Sequence, residues 1–206
     1  MYVSAAMIKR LPAYYRHLKE LERENVRQIS SKELGQRMGL TASQIRQDFS
    51  CFGEFGQQGY GYNVEELRSE IGHILGVDND HHLIMIGVGN LGRALLNNFP
   101  FENTGFTVDA SFDVSPDVID TQINGIPVYS TDELESYIKR HAVDVVVLTI
   151  PQAVAQATAN RLIDLGIRGF WNFTNVELSS PNPDVQFENI HFADSLLTLS
   201  YRIANH

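Results

Sequence analysis

The stretch "IGVGNLGRALL", residues 86–96, carries glycines at Gly87, Gly89 and Gly92 in the order G-x-G-x-x-G. The apolar run "LIMIGV" leads into them and a helix-forming run follows, the context in which such glycines hold a dinucleotide. Gly87 permits the tight turn, Gly89 lets a pyrophosphate approach the backbone, and Gly92 lets the new helix lie close to the strand. Val88, Asn90 and Leu91 complete the loop, and the helix amino terminus faces the phosphates. A second strand, "FTVDASFD", ends at Asp113, 21 residues after Gly92. A carboxylate there takes the adenine ribose hydroxyls. Val114 follows it and no arginine lies nearby, so NAD is predicted in preference to NADP.

Whether that dinucleotide is a reagent turns on a proton donor, usually His, or Tyr helped by Lys. After residue 78 the only lysine is Lys139, and Tyr137 lies two residues from it rather than four. His141 falls at a helix end and His191 near the carboxyl terminus, neither with an evident partner in the sequence. No catalytic residue is therefore assigned. Cys51 is the one cysteine, which excludes a disulfide framework and a cysteine-rich zinc site. The pair His81 and His82 reads as a solvated loop rather than a metal site.

The elements that must position the glycine loop follow it in order. Strands are predicted at "GIPVY", "VDVVVLTIP" and "IRGFWNF", and helices at "STDELESYIKRHA" and "QAVAQATANRLIDLG", the first with Ser130 and Glu133 as its capping pair. Alternation of this kind makes an α/β Rossmann-like, doubly wound parallel sheet. Ligands sit at the carboxyl ends of such strands, so Thr149, Ile150 and Pro151, with Asn172, Phe173 and Thr174, are the predicted remaining walls.

About eighty residues precede this domain. The net charge is −9, yet residues 1–78 hold ten basic and ten acidic side chains against six and fifteen in residues 79–206, so the deficit lies entirely in the second part. Residues 1–46 alone carry nine basic and four acidic groups. A basic amino-terminal half on an acidic chain points to a division of labour. Leu11, Tyr14, Tyr15, Leu18 and Leu21 predict an amphipathic helix after Pro12, ending near Asn25. In "ISSKELGQRMGLTASQIRQDFS", Ser30 with Glu33 and Thr41 with Gln44 read as two capping boxes, separated by the stop at Gly39. That spacing is a helix-turn-helix. Ala42, Ile45 and Phe49 make the inner side of its second helix, and Ser43, Gln44, Arg46 and Gln47 face outward as a major-groove reading set. Gly53, Gly56, Gly59 and Gly61 among Phe52, Phe55, Tyr60 and Tyr62 predict a hairpin, hence a winged helix. Its tip, Gln57 and Gln58 with Gly59 and Tyr60, is expected at a minor groove. Lys9, Arg10, Ser30 and Ser31 complete the expected DNA contacts.

The last residues, "FADSLLTLSYRIANH", place Phe192, Leu196, Leu199 and Ile203 in one helical stripe and Ala193, Leu197, Tyr201 and Ala204 in an adjacent one. The pair covers about 200°, twice the ~100° a surface helix needs, so the helix is expected between two bodies, inserted into a partner subunit. Three regions result: a winged helix over 1–78, a dinucleotide domain over 79–189 and a carboxy-terminal helix over 190–206. With 206 residues, 43% hydrophobic, no apolar run of about 18 residues and no signal-peptide core at the start, the chain is expected in the cytoplasm.

In the segments "KRLPAYYRHLKEL", "SSKELGQRMGLTASQIRQDFS", "FGEFGQQGYGYNV", "IGVGNLGRALL", "FDV" and "LGIRGFWNF", in that order, the sequence resembles the Rex family of redox-sensing transcriptional repressors. The resemblance covers essentially the whole chain. It implies a homodimer whose carboxy-terminal helices exchange between subunits, an amino-terminal domain on operator DNA, and release of that DNA when NADH binds as the NADH/NAD ratio rises. It also implies that Phe192 is the exchanged aromatic near the partner's nicotinamide. Gln57 and Gln58 stand where the family usually carries a basic pair, Gln47 stands where a basic residue is common, and His191 replaces a commonly acidic residue. The alternative is a Rossmann-fold CoA- or NAD-binding enzyme with an accessory helical domain.

Overall fold

A short helix α1 (Ala5–Ile8) leads into α2 (Leu11–Arg23) in the computed structural model, which describes residues 5–51 and 61–205. Pro12 sits in the first turn of α2, where its missing N–H interrupts nothing. Leu11, Tyr14, Leu18 and Leu21 form the buried face, and the helix stops at Arg23 as Asn25 turns left-handed at φ 59°. Strand β1 (Gln28–Ile29) precedes α3 (Ser31–Met38), whose N-cap Ser30 forms both halves of the capping box with Glu33. Gly39, at φ 68°, ends that helix in the conformation glycine adopts without strain. Helix α4 (Ala42–Ser50) follows, capped by the Thr41 hydroxyl, which accepts the Gln44 N–H. The reciprocal half of this second expected box is not made, because the Gln44 amide turns to Asp48.

Of the hairpin predicted over residues 52–62, residues 52–60 lie outside the described residues, Gln57, Gln58, Gly59 and Tyr60 included. Strand β2 (Tyr62–Asn63) pairs antiparallel with β1, Ile29 opposite Tyr62. Asn63 then caps α5 (Val64–Leu75), a helix that the sequence does not separate from its surroundings. Val64, Leu67 and Ile71 join Leu18, Leu34, Ile45 and Phe49 in one core. Gly35 is required by the turn: a Cβ there would stand 2.6 Å from the Leu40 carbonyl oxygen.

The chain divides into two compact units, Met1–Asp78 and Asn79–His206. In the second, β3 (His81–Ile86), α6 (Asn90–Asn98), β4 (Phe106–Asp113), β5 (Gln122–Ile123), β6 (Ile126–Ser130), α7 (Leu134–Ile138), β7 (Val145–Leu148), α8 (Gln152–Asp164), β8 (Gly169–Asn172), β9 (Gln186–Asn189) and α9 (Phe192–Ala204) follow in sequence. The sheet runs β5-β6-β4-β3-β7-β8-β9, with every pair parallel except β5–β6. The doubly wound sheet expected from the sequence is present, with two additions, the edge strands β5 and β9. Alternate residues of β3 divide between two cores: Ile84 and Ile86 pack on the α8 side, Leu83 and Met85 on the α6 side.

Two local expectations are corrected. The Ser130 hydroxyl accepts the Asp132 N–H and opens a 3₁₀ turn over Thr131–Glu133, so the predicted long helix is shortened to α7 and Glu133 is not its capping partner. The two histidines are in β3 rather than in a solvated loop: the His82 ring lies 2.8 Å from Asp109, which raises its pKa through that hydrogen bond and the carboxylate charge.

Exchange of glycine for alanine inside a helix ordinarily stabilises by about 1 kcal/mol. Gly35→Ala is expected to do the opposite, lowering the stability of the amino-terminal unit by about 1–3 kcal/mol, because the methyl would stand 2.6 Å from a backbone carbonyl rather than from the end of a flexible side chain. Chemical denaturation followed by helical circular dichroism reads the sign.

Candidate DNA-reading and dinucleotide sites

Helix α4 is held from beneath by a carboxylate. Asp48 is 3% exposed and accepts from the Arg10 Nε and Nη2 atoms, both at 2.7 Å, from the Tyr14 hydroxyl at 2.7 Å and from the Gln44 amide at 2.8 Å. Burial alone pushes the Asp48 carboxyl up, but the hydrogen bonds from Arg10, Tyr14 and Gln44 outweigh it and hold the group below the usual carboxylate range. Burial and the same charge push the Tyr14 phenol well up. The cluster fixes α4 to the start of α2, and it engages the polar ends of the half-buried Arg10 and Gln44, two of the expected DNA contacts, within the unit.

Ser43, Arg46 and Gln47 are exposed together on the outer face of α4, and Lys9 is exposed in the turn before α2. Arg46 donates to the Ser31 hydroxyl at 3.2 Å across the helix pair, and the Ser30 hydroxyl is engaged in its cap. The expected reading set thus separates into three presented side chains and one inward-turned glutamine. Asp48 escapes notice at the sequence level, where "RQDFS" reads as part of the polar face. It falls three residues after the buried Ile45, and that offset is the available signal.

At the carboxyl ends of β3, β4, β7 and β8 the second set is brought together. Gly87 takes φ 94° and leaves no room for a Cβ, which would stand 2.7 Å from the Thr149 carbonyl oxygen. A Cβ on Gly92 would collide with the Gly87 carbonyl, so the start of α6 lies directly against the turn. A Cβ at Gly89, by contrast, would meet nothing within 4 Å. The backbone there faces open space, the room that a pyrophosphate needs at a helix amino terminus. Val88 is buried, Leu91 is half-buried and Asn90 is exposed.

The Asp113 carboxylate is oriented by its surroundings: one oxygen accepts the Val88 N–H at 2.7 Å and the other the Ser115 N–H at 2.8 Å. Val114 beside it is 78% exposed. The Thr149 hydroxyl donates to the Gly87 carbonyl at 2.5 Å, fastening the loop to β7, and Ile150 and Pro151 continue the rim. Asn172, Phe173 and Thr174 are all buried at the end of β8, and the Phe173 ring lies 6.0 Å from that of Phe192 at the start of α9. Arg93 does not stand out in the sequence, although it follows the third glycine directly. Its Nε donates to the Val88 carbonyl at 3.0 Å, closing the loop from the helix side.

The histidines considered as proton donors have other contacts. His141 stacks on Tyr137 at 4.2 Å, and His191 Nε2 lies 2.9 Å from Glu177 Oε2. Lys139 pairs with Glu135 at 2.6 Å. An apolar hollow of about 450 Å³, lined by Leu83, Phe99, Phe101, Val145 and Trp171 among others, opens near the amino-terminal ends of the strands, away from the glycine loop. Helix α9 is exposed along its whole length, with Phe192, Leu196, Leu197, Leu199, Tyr201 and Ile203 each more than half exposed. Among the described residues no cluster of three metal-ligating side chains occurs, and no helix is long and apolar enough to cross a membrane.

Comparison with known proteins gives the same two parts. Residues 2–50 match a family described as "Putative DNA-binding protein N-terminus", and residues 78–176 one described as "CoA binding domain". The chain is 48% identical to the redox-sensing transcriptional repressor Rex of Clostridium botulinum (strain Eklund 17B / Type B), over 98% of this chain and 95% of that one. It is also 48% identical to the Rex of Caldanaerobacter subterraneus subsp. tengcongensis, over 98% and 89%. Among solved structures it is similar to RSP in complex with β-NAD⁺ and operator DNA, with TM-score 0.92, 47% identity and 100% and 94% coverage. RSP in complex with β-NADH gives 0.91, 44%, 100% and 96%.

The Asp48 cluster has a consequence for pH. A carboxyl whose folded pKa is depressed contributes stability that is complete above its unfolded pKa and is lost as the pH falls through the folded value. Asp48→Asn is expected to destabilise the amino-terminal unit at pH 7 by about 1–3 kcal/mol, less than for a fully enclosed pair because the Arg10 side chain is 29% exposed. The difference from wild type should shrink as the pH falls below about 4. Amide hydrogen exchange in α4 measures it. Equal protection at pH 7 would contradict the assignment.

Proposed function

The chain belongs to the Rex family of redox-sensing transcriptional repressors, and from that premise we propose that it binds operator DNA as a homodimer and releases it on binding NADH. One observation carries the reading: a capped helix pair presenting Ser43, Arg46 and Gln47 shares a chain with a glycine turn closed by Asp113. The relatives are named as repressors rather than enzymes, which sets aside the enzymatic alternative.

In this reading residues 1–78 contact DNA, residues 79–189 hold the dinucleotide and residues 190–206 exchange between subunits, all in the cytoplasm. Arg46 suits a guanine edge, Gln47 and Ser43 suit bases or phosphates, and Lys9 suits a phosphate. Arg10, Gln44, Ser30 and Ser31 act chiefly by holding that surface, since their polar groups are engaged within the unit. Gln57, Gln58, Gly59 and Tyr60 are assigned to minor-groove contacts. Their lack of positive charge makes the salt dependence shallow.

The dinucleotide's pyrophosphate lies over Gly87, Val88, Gly89, Asn90, Leu91 and Gly92, its adenine ribose on Asp113 beside Val114. Its nicotinamide half lies against Thr149, Ile150, Pro151, Asn172, Phe173 and Thr174. The exposed apolar length of α9 supports exchange: six large apolar side chains exposed along one helix mark a surface that a second body covers. Phe192 then reaches a partner's nicotinamide. An oxidised ring carries a positive charge that an apolar wall does not compensate, whereas the reduced ring is neutral, so NADH is favoured over NAD.

An operator gel shift titrated with NADH, NAD and NADP tests the whole reading. NADH is expected to release DNA, NAD to compete weakly and NADP to do least; release by none of them would overturn it. Arg46→Ala should weaken operator binding by about 1–3 kcal/mol if it reads a base. Asp113→Ala should weaken NADH by a similar amount, on the order of 10- to 100-fold, and narrow the gap to NADPH. Equal affinity of the wild type for NADH and NADPH would remove Asp113 from the ribose.

A further inference from the structure

Strands β8 and β9 end side by side, and each ends on an asparagine: Asn172 and Asn189 are register partners. The Asn172 amide donates to the Val176 carbonyl at 2.6 Å and to Asn189 Oδ1 at 2.8 Å, and its oxygen accepts the Thr174 N–H at 3.0 Å and hydroxyl at 2.7 Å. An amide offers two donors and two lone pairs, so this one is saturated. Asn189 is saturated in turn. Its oxygen also accepts the Leu178 N–H, and its nitrogen donates to the Leu178 carbonyl and to Glu177 Oε1, each at 3.2 Å. The other Glu177 oxygen meets His191 Nε2 at 2.9 Å, and this contact is the first cause of the lowered Glu177 pKa.

His191 is the N-cap residue of α9, and its side chain makes no capping bond. The ring is turned back to Glu177 instead. Every residue of α9 is exposed, so within one subunit its direction is set at its root, by the Phe173–Phe192 contact, by the Ile190 N–H bonded to the Asn172 carbonyl at 2.8 Å and by this chain of polar groups. We propose that Glu177, Asn189 and His191 are positioning residues that lock the first turn of α9 to the Asn172–Thr174 end of β8, so that dinucleotide occupancy of the crevice reaches α9 through them. The proposal rests on the reading of Asn172–Thr174 as a wall of the dinucleotide site. It names the connection by which that site acts on the dimer.

The connection is short and directional. Any displacement of the Asn172–Thr174 turn moves the partner oxygen of Asn189, then Glu177 and then the residue that begins α9. Saturated polar networks of this kind shift as a unit, because breaking one member leaves its neighbours unsatisfied. Glu177 itself is exposed and lies outside the set of crevice residues, so its removal leaves the crevice wall in place.

The test uses the full-length protein and three readouts: NADH affinity without DNA, operator affinity without NADH, and the factor by which saturating NADH weakens operator binding. Glu177→Gln is expected to leave both separate affinities within about twofold while cutting the coupling factor by at least about fivefold. The exchanged double variant, Glu177→His with His191→Glu, should restore most of the coupling, because the swapped pair again joins the loop to the start of α9. A spin label at Thr198→Cys in a Cys51→Ser background reads α9 directly, and Glu177→Gln should make it more mobile. Unchanged coupling in Glu177→Gln, or failure of the exchanged pair to restore it, overturns the proposal. If the wild type shows no NADH-dependent release, the functional reading fails by itself. Label mobility then decides the anchoring, and an unchanged label would overturn that too.

Discussion

The close crossing of α6 over the end of β3 is the constraint on which the dinucleotide half depends. A Cβ at Gly92 would collide with the Gly87 carbonyl, and a Cβ at Gly87 would collide with the Thr149 carbonyl, so three elements meet where only hydrogen atoms fit. That proximity aims the amino terminus of α6 at the crevice. It also brings the Val88 N–H to Asp113, the Val88 carbonyl to Arg93 and the Gly87 carbonyl to the Thr149 hydroxyl. Relaxing the crossing by one methyl group would loosen all three bonds and the turn they frame.

A comparable economy holds α4. Charge buried in a small unit is expensive unless fully met, and Asp48 meets four donors from α2, its approach and its own helix. The same bonds that satisfy the carboxylate orient α4, so its presented face is set by an interaction on its hidden side. The charge asymmetry of the sequence is consistent with this arrangement. Of the basic residues in 1–46, Arg10 is engaged by the buried carboxylate, and most of the others, Lys9 and Arg46 among them, remain at the surface.

Periodicity and glycine spacing make the parallel sheet, the two capped helices and the crevice at Gly87–Gly92 and Asp113 legible in the amino-acid sequence, because those features depend on neighbours along the chain. The terminal helix is legible for the same reason: two apolar stripes are visible at 100° per residue, and their large side chains are exposed within one subunit. What the sequence hides depends on contacts across the fold. Asp48 reads as a polar surface residue until Arg10, 38 positions away, is placed against it. Gln44 looks like half of a capping box until Asp48 claims its amide, and His191 has no visible partner until the loop before β9 delivers Glu177. Strands β5 and β9 are too short and too polar at alternate positions to stand out without the neighbours that pair with them.

These parts make a switch only if ligand and operator prefer different arrangements of the dimer, since a ligand with equal affinity for both shifts nothing. Thermodynamic linkage then requires the coupling to be the same from either side. The direct measurement is the NADH affinity of the full-length protein with and without saturating operator DNA, set beside the operator affinity with and without saturating NADH. The account predicts that operator weakens NADH binding by the same factor by which NADH weakens operator binding, and that this factor is well above one. An NADH affinity indifferent to operator DNA would contradict it.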